Sequence, residues 1–334
     1  MQSRKFRAHY RLRSAKPLTP TNPPVDRQLI AYPLLTTNGL EEDVLHGVVH
    51  KFAKSVPNFA FKLAFMAIWH NGILGETASI DASSAGLLLG WGVFTTIGIK
   101  AGRPLWIDHH LHRLRRDAAR CDIAVPYSND ELRAALHAVL AANNIGDGLA
   151  RITATRHDDE RWNTASGTDV TLLALESPAV KIRDLRVGFA PTPSQGHLNG
   201  VKTTSYLPYF WSWRESHNCG WDEVVLHQSG LVIEASRSSL FWVKGGVLQT
   251  TPLELGALDG VGRALVFEWA KSNNIAAVTA ELLTTELPAC DEAFLISAAT
   301  GPRAIGTFCL SSGDLSLSHS RPVFDSLRAW WDIQ

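Results

Sequence analysis

Between Gly92 and Ile123 the hydrophobic period changes from two to 3.6 within a few residues. GVFTTIGIKAGRPLWI alternates as two strands about a turn at Lys100–Gly102. DHHLHRLRRDAARCDI follows at once, with Leu111, Leu114, Ala118 and Cys121 at helical spacing. Asp108 stands where a helix N-cap belongs. A chain that changes period this quickly lays helices over strands, so the expected fold class is α+β.

The same alternation runs through the rest of the chain. AIWHNGILG reads as strand, turn at Asn71-Gly72, strand. SNDELRAALHAVLAANN is a helix capped by Ser128 or Asn129, and ARITATR and DVTLLALE are strands. LRVGFAP, DEVVLHQSG, LVIEASRSSLFWVKGG and VLQTTP are further strands, whereas YFWSWRESHNCG, VGRALVFEWAKSNN and VFDSLRAWWDI are helices. The proline-containing ESPAVKIRD is the best boundary. The expected organisation is an N-terminal extension (1–65), a small α/β domain (66–180) and a larger domain (185–334), each with strands first and helices packed over them. The extension begins as a basic, acid-free tail, passes through the proline-rich PLTPTNPPVD, and holds one short amphipathic pattern in EEDVLHGVVHKFAKS. It reads as a disordered tail or an organelle-targeting segment, with Met66 as an alternative start of translation.

Thirty-two basic residues balance thirty-two acidic ones, so no overall field draws the chain to nucleic acid or to an acidic membrane. No apolar run approaches the length of a membrane span. The four cysteines lack CxxC spacing, which argues against a zinc site or a disulfide framework and suits a reducing cytoplasm.

Five features carry candidate chemistry. Lys202 heads the aromatic-rich NGVKTTSYLPYFWSW with no acid near it in sequence. The commoner fate of such a lysine is to reach water by its long stem. The alternative is a desolvated amine that acts as a nucleophile. Glu234 interrupts an apolar strand, as an outward-facing residue or as a carboxylate that a cation must meet. The turn before Val261 and Gly262 opens a helix whose N–H groups suit an anion, although many such helix ends bind nothing. LISAATGPRAI places small residues, Ala298 among them, after a strand where a ligand can approach the backbone. Arg113 lies one residue off the apolar stripe of its helix. A surface role is the default for this run of charge, and an arginine turned inward to a phosphate the exception.

A lysine, an isolated carboxylate, an arginine and a glycine-led helix together suit pyridoxal 5′-phosphate. The lysine forms a Schiff base with its aldehyde, the carboxylate keeps the ring nitrogen protonated, and the arginine and helix end neutralise the phosphate. The order of these parts resembles the fold-type IV, or class IV, pyridoxal-phosphate enzymes: branched-chain aminotransferases, D-amino-acid aminotransferases and aminodeoxychorismate lyases. The resemblance runs from about Ile68 to the C-terminus through IWHNG, GWGVFTTI, HLHRLRRDAA, KTTSYL, WDEVVLHQSGLVIEASRSSLFWV, TTPLELGALDGVGR and CDEAFLISAATGPRAI. It implies a two-domain homodimer with the cofactor between domains and near the partner subunit. It further implies Lys202 as the Schiff-base lysine, Glu234 as the ring-nitrogen partner, and Arg113 with Val261 and Gly262 at the phosphate. The loop Ser297–Thr300 matches the last phosphate-side segment. Tyr206 falls where branched-chain enzymes place a tyrosine near the cofactor oxygen, one residue out of step.

The departures concern the substrate, a small amino compound. Thr95-Thr96 replaces the Phe-Glu-Gly pattern of branched-chain enzymes and looks more like some lyases. Gly98 stands where many relatives carry an arginine, and Ser239 replaces an asparagine. Thr96, Arg156 and Arg303 are candidates to meet the substrate, the two arginines being equally readable as surface or inter-subunit residues. The resemblance implies an aminotransferase. The alternatives are a lyase that releases pyruvate and 4-aminobenzoate from aminodeoxychorismate, or a non-catalytic dimer of the same fold.

Overall fold

The computed structural model describes residues 66–157, 167–177, 183–193 and 196–334. The expected extension, with its short helix, and part of the boundary segment lie outside the described residues.

Strands β1 (Ile68–His70) and β2 (Ile73–Gly75) form a hairpin whose turn holds Asn71 and Gly72 at φ 48° and 91°, the left-handed region these residues tolerate best. A one-turn helix α1 (Ala85–Leu88) is capped by Ser84. Strands β3 (Gly92–Lys100) and β4 (Arg103–Pro104), helices α2 (Ile107–Arg120) and α3 (Asn129–Ala142), and strands β5 (Gly148–Arg156) and β6 (Thr168–Glu176) complete the first half. Six antiparallel strands align in the order β2-β1-β6-β5-β3-β4. Period-two alternation gives the sheet two different faces. Val93, Ile97, Ala150, Ile152 and Ala154 pack under Leu111, Leu114, Leu132, Leu136 and Val139 of the two helices. Phe94, Thr96, Leu149 and Arg151 stand on the other face. Ser128 caps α3 in a reciprocal box with Glu131. Asp108 does not cap α2. Trp106, at φ 49°, turns the chain into the helix, and Asp108 sits in the first turn, ion-paired with Arg133.

The second half holds β7 (Leu185–Pro191), α4 (Leu207–Asn218), β8 (Glu223–Gln228), β9 (Leu231–Ala235), β10 (Ser239–Lys244), β11 (Val247–Thr250) and α5 (Val261–Ser272). It ends with β12 (Ala277–Thr279), β13 (Glu292–Ser297), β14 (Gly301–Leu310), β15 (Gly313–Ser316) and α6 (Pro322–Asp332). The strands form one sheet ordered β12-β11-β10-β13-β14-β7-β8-β9, with β15 pairing β14. Strands β7 and β8 are parallel, and a parallel pair needs a crossover; α4 supplies it. The helices here are therefore interleaved with the strands, and the expected order of strands first, helices after, is corrected.

Both faces of this sheet are buried, which explains its near-continuous apolar runs. Phe241, Phe294 and Ile296 pack against Leu265, Trp269, Leu327 and Trp331 of α5 and α6. Leu240, Trp242 and Leu295 face Val187, Val225, Val232 and Phe308. The sheet curls until its far strand meets its own beginning. Val232 N–H donates to Leu282 O at 2.9 Å, and Thr251 Oγ1 donates to Val232 O at 3.2 Å. That curl brings the end of β9 and the start of α5 to one rim.

Candidate active site

The segment after Gly200 pairs with the first sheet. Phe94 N–H donates to Lys202 O at 3.0 Å, Thr204 N–H to Gly92 O at 2.8 Å, and Val93 bridges Thr203. Lys202 N–H in turn donates to Oδ2 of the buried Asp117 at 3.2 Å. These main-chain bonds aim the Lys202 side chain into a cavity of about 370 Å³. Its walls are the outer face of the first sheet and the rim of the second. The amine lies 3.4 Å from Tyr206 Oη and 4.8 Å from the centre of the Phe94 ring. Lys202 is half-buried and lines this cavity. Desolvation, with Arg113 adding repulsion, brings its pKa down to about 7. The amine thus faces a cavity and is desolvated there, unlike a lysine that reaches bulk water by its stem.

Glu234, 9% exposed, faces the same cavity from β9. Burial pushes its carboxyl up to about 7, against the pull of the Leu258 N–H that donates to Oε2 at 3.1 Å and of Lys202. Tyr206 donates from Oη to Ser236 O at 2.8 Å and packs edge-on to Phe94. Burial first, then Glu234, holds its hydroxyl protonated by raising its pKa.

At the other end of the cavity donors collect without acceptors. Arg113, 7% exposed, gives Nη2–H to Thr95 Oγ1 at 2.7 Å, and its buried Nε has no partner among the described residues. The start of α5 has no side-chain cap, so the N–H groups of Val261 and Gly262 are open. Gly262 packs closely: a Cβ there would lie 3.1 Å from Ala298 N and 3.2 Å from Ser297 Cα, so the loop would have to shift by a few tenths of an ångström. The loop Ser297–Thr300, closed by a 2.8 Å bond between the Ser297 and Thr300 hydroxyls, is thereby pressed to the helix end. Val261, Gly262 and Ala298 all line the cavity.

Three further arginines line it: Arg151, Arg237 and Arg303. Arg151 stacks 3.6 Å over Phe94 and lies opposite Thr96 in the ladder. Arg237 rests 4.1 Å over Trp213 and pairs with buried Glu223 at 3.6 Å, and the buried Nε of Arg303 has no partner among the described residues. Thr96 lines the cavity as well. Gly98 has no room for a long side chain, since its Cβ would sit 3.3 Å from Ala298 O. Arg156 is not among the lining residues. It ends β5 on the helix-covered face, 5% exposed, with its guanidinium 3.0 Å from Asp122 and 4.3 Å over Trp91. The placement of Arg156 at a substrate is thus corrected. Arg151, Arg237, Glu223 and His110 went unread in the sequence. Arg151 shares the β5 alternation with Ala150 and Ile152, so its face was identifiable, but what covers that face was not.

Comparison with known proteins agrees with this geometry. The amino-transferase class IV family matches residues 92–306. D-alanine aminotransferase of Listeria monocytogenes is 29% identical over 232 residues, 66% of this chain and 80% of that one. Aminodeoxychorismate lyase of Bacillus subtilis is 29% identical over 237 residues, 66% of this chain and 78% of that one. The crystal structure of a branched-chain aminotransferase from Thermoproteus uzoniensis with norvaline superposes with a TM-score of 0.72 at 26% identity, covering 80% of this chain and 94% of that one. The chain belongs to the class IV amino-transferases, an α+β family of pyridoxal 5′-phosphate enzymes. Its residues fit that cofactor: a desolvated amine, a buried carboxyl and an anion corner with unpartnered donors surround one cavity. Among the described residues no helix is long and apolar enough to cross a membrane.

Proposed function

We propose that this chain is an aminotransferase that acts on a dicarboxylic amino substrate through Lys202, with a lyase acting on aminodeoxychorismate as the second reading. The observation that carries the proposal is the Lys202 amine at about pKa 7 in a cavity it shares with Glu234 and the Arg113 corner. Lys202 would hold the cofactor covalently, Glu234 would meet its ring nitrogen, and Tyr206 would lie near its ring oxygen. Arg113 and the backbone of Val261, Gly262 and Ala298 would hold its phosphate. When bound, the cofactor takes up the substrate's amino group and provides a ring that accepts the electron pair left at Cα. The protein's own part is proton handling. At neutral pH an amine of pKa about 7 is divided between its two forms, so Lys202 both accepts and returns a proton at or near Cα.

The charge of the walls supports the substrate class. Arg113, Arg151, Lys202, Arg237 and Arg303 face only Glu223 and Glu234 across the cavity. After Arg113 is given to the phosphate, a surplus of guanidinium remains on the walls, suited to carboxylates. Glutamate and 2-oxoglutarate carry two carboxylates, and so does aminodeoxychorismate, which is what favours the second reading. We also infer a homodimer in the cytoplasm, built from a small domain (66–180) and a larger one (185–334). The exposed apolar residues Leu87, Leu88, Leu89, Leu207 and Trp211 support the dimer, being more than a solitary surface tolerates comfortably.

Borohydride reduction of the cofactor-loaded protein, followed by peptide mapping, tests the attachment; label on any lysine other than Lys202 overturns it. Pyruvate formed from aminodeoxychorismate without a keto acid acceptor selects the lyase, whereas product that requires 2-oxoglutarate selects the aminotransferase.

A further inference from the structure

His110 is a buried polar residue that none of the assignments above uses. It lies on α2, 1% exposed, and lines the cavity beside Arg113. Its Nδ1 is 2.7 Å from Thr95 Oγ1, the same oxygen that receives Arg113 Nη2–H at 2.7 Å. An arginine only donates. With that donation received, the Thr95 hydroxyl has one proton to give, and His110 Nδ1 is the acceptor within reach. Thr95 donating to Nδ1 uses both its proton and the Nδ1 lone pair, and leaves the ring hydrogen on Nε2. Nε2 is buried and has no partner among the described residues. Burial, and then the charges of Arg113, His109 and Lys202, push the pKa of this imidazole well below its usual value, so the ring is neutral.

We propose that His110 is a further phosphate-binding residue: a neutral donor whose Nε2–H meets the phosphate end of the cofactor at the close of the chain Arg113–Thr95–His110. The inference rests on the cofactor reading above. Nε2–H adds a hydrogen bond at the anion corner without a third formal charge near Lys202, and Thr95 locks the tautomer that makes it a donor.

The test compares pyridoxal phosphate with pyridoxal, which lacks the phosphate, by titrating cofactor-free protein and reading visible absorbance. In His110→Leu, affinity for pyridoxal phosphate should fall about ten- to a hundredfold, as for a lost bond to a charged group, while affinity for pyridoxal stays within about twofold. His110→Gln, which keeps an N–H, should recover part of the loss. Equal losses for both ligands, or none for either, overturn the proposal, because a purely structural histidine would not discriminate between them. Nitrogen NMR of the unaltered protein covers the case in which the leucine variant does not fold: a hydrogen on Nδ1 instead of Nε2 overturns the proposal equally. If the unaltered protein binds neither ligand, the cofactor reading fails first, and that outcome is distinct from the others.

Discussion

Replacing Lys202 by methionine should stabilise the cofactor-free protein while removing its capacity to capture the cofactor covalently. Desolvation is the largest cause that brings the pKa of this amine from 10.5 to about 7. At about 1.4 kcal/mol per pH unit this corresponds to roughly 5 kcal/mol of penalty for the charged form. That figure is a ceiling. The head of Lys202 faces cavity water, and a gain of about 1–3 kcal/mol is expected from the variant. Below pH 7 the folded and unfolded chains both hold the proton and the penalty is complete. Between pH 7 and 10.5 the unfolded chain keeps the proton and the folded one has lost it, so the unaltered protein grows more stable as pH rises across that window. Lys202→Met should abolish this slope. The assay is urea unfolding of both cofactor-free proteins at several pH values from 6 to 10. A variant less stable than its parent at pH 7, or an unaltered protein with no rise toward pH 10, would refute the argument that desolvation dominates at this amine.

Glu234→Gln should keep cofactor binding but slow the proton step, as measured by single-turnover kinetics; turnover equal to the parent's denies Glu234 its role. The same variant should also flatten the loss of stability that the unaltered protein shows as pH rises from 4.5 to 7, the window in which the buried carboxyl is forced to ionise. Gly262→Ala should leave stability within about 1 kcal/mol, since a better helix former offsets the close contact, yet weaken pyridoxal phosphate binding by forcing Ser297 and Ala298 away from the helix end; unchanged affinity would contradict the packing argument. Arg156→Met should cost about 1–3 kcal/mol of stability through the lost partners Asp122 and Trp91, with no change in the KM for any substrate. A raised KM would put Arg156 back at the site.

Local periodicity made the elements legible, and long-range packing hid much of the site. The change of period between β3 and α2 was visible, and the cap of α3 was narrowed to Ser128 or Asn129; the reciprocal box with Glu131 is a finding of the structure. Spacing alone left Arg113 one residue off the apolar stripe with a surface role as the default, and only the family resemblance singled it out. The burial of Lys202 was not visible: Tyr206 is the near neighbour in sequence against its amine, and the rest depends on pairing with β3 and with Asp117, about a hundred residues upstream. Arg151 and Arg156 show the same limit from opposite sides. They stand on the same strand five positions apart, an odd spacing that sends them to opposite faces. Helices α2 and α3 cover the face of Arg156, whereas the cavity on the face of Arg151 is closed by residues beyond position 185.

The lacing of the Lys202 segment to β3 ties the basicity of this amine to the folded state. In an unfolded chain the side chain is an ordinary exposed amine, protonated at neutral pH. Joined to β3 and facing the cavity, it has a pKa of about 7. The low basicity thus belongs to the assembled fold and is absent from the local sequence.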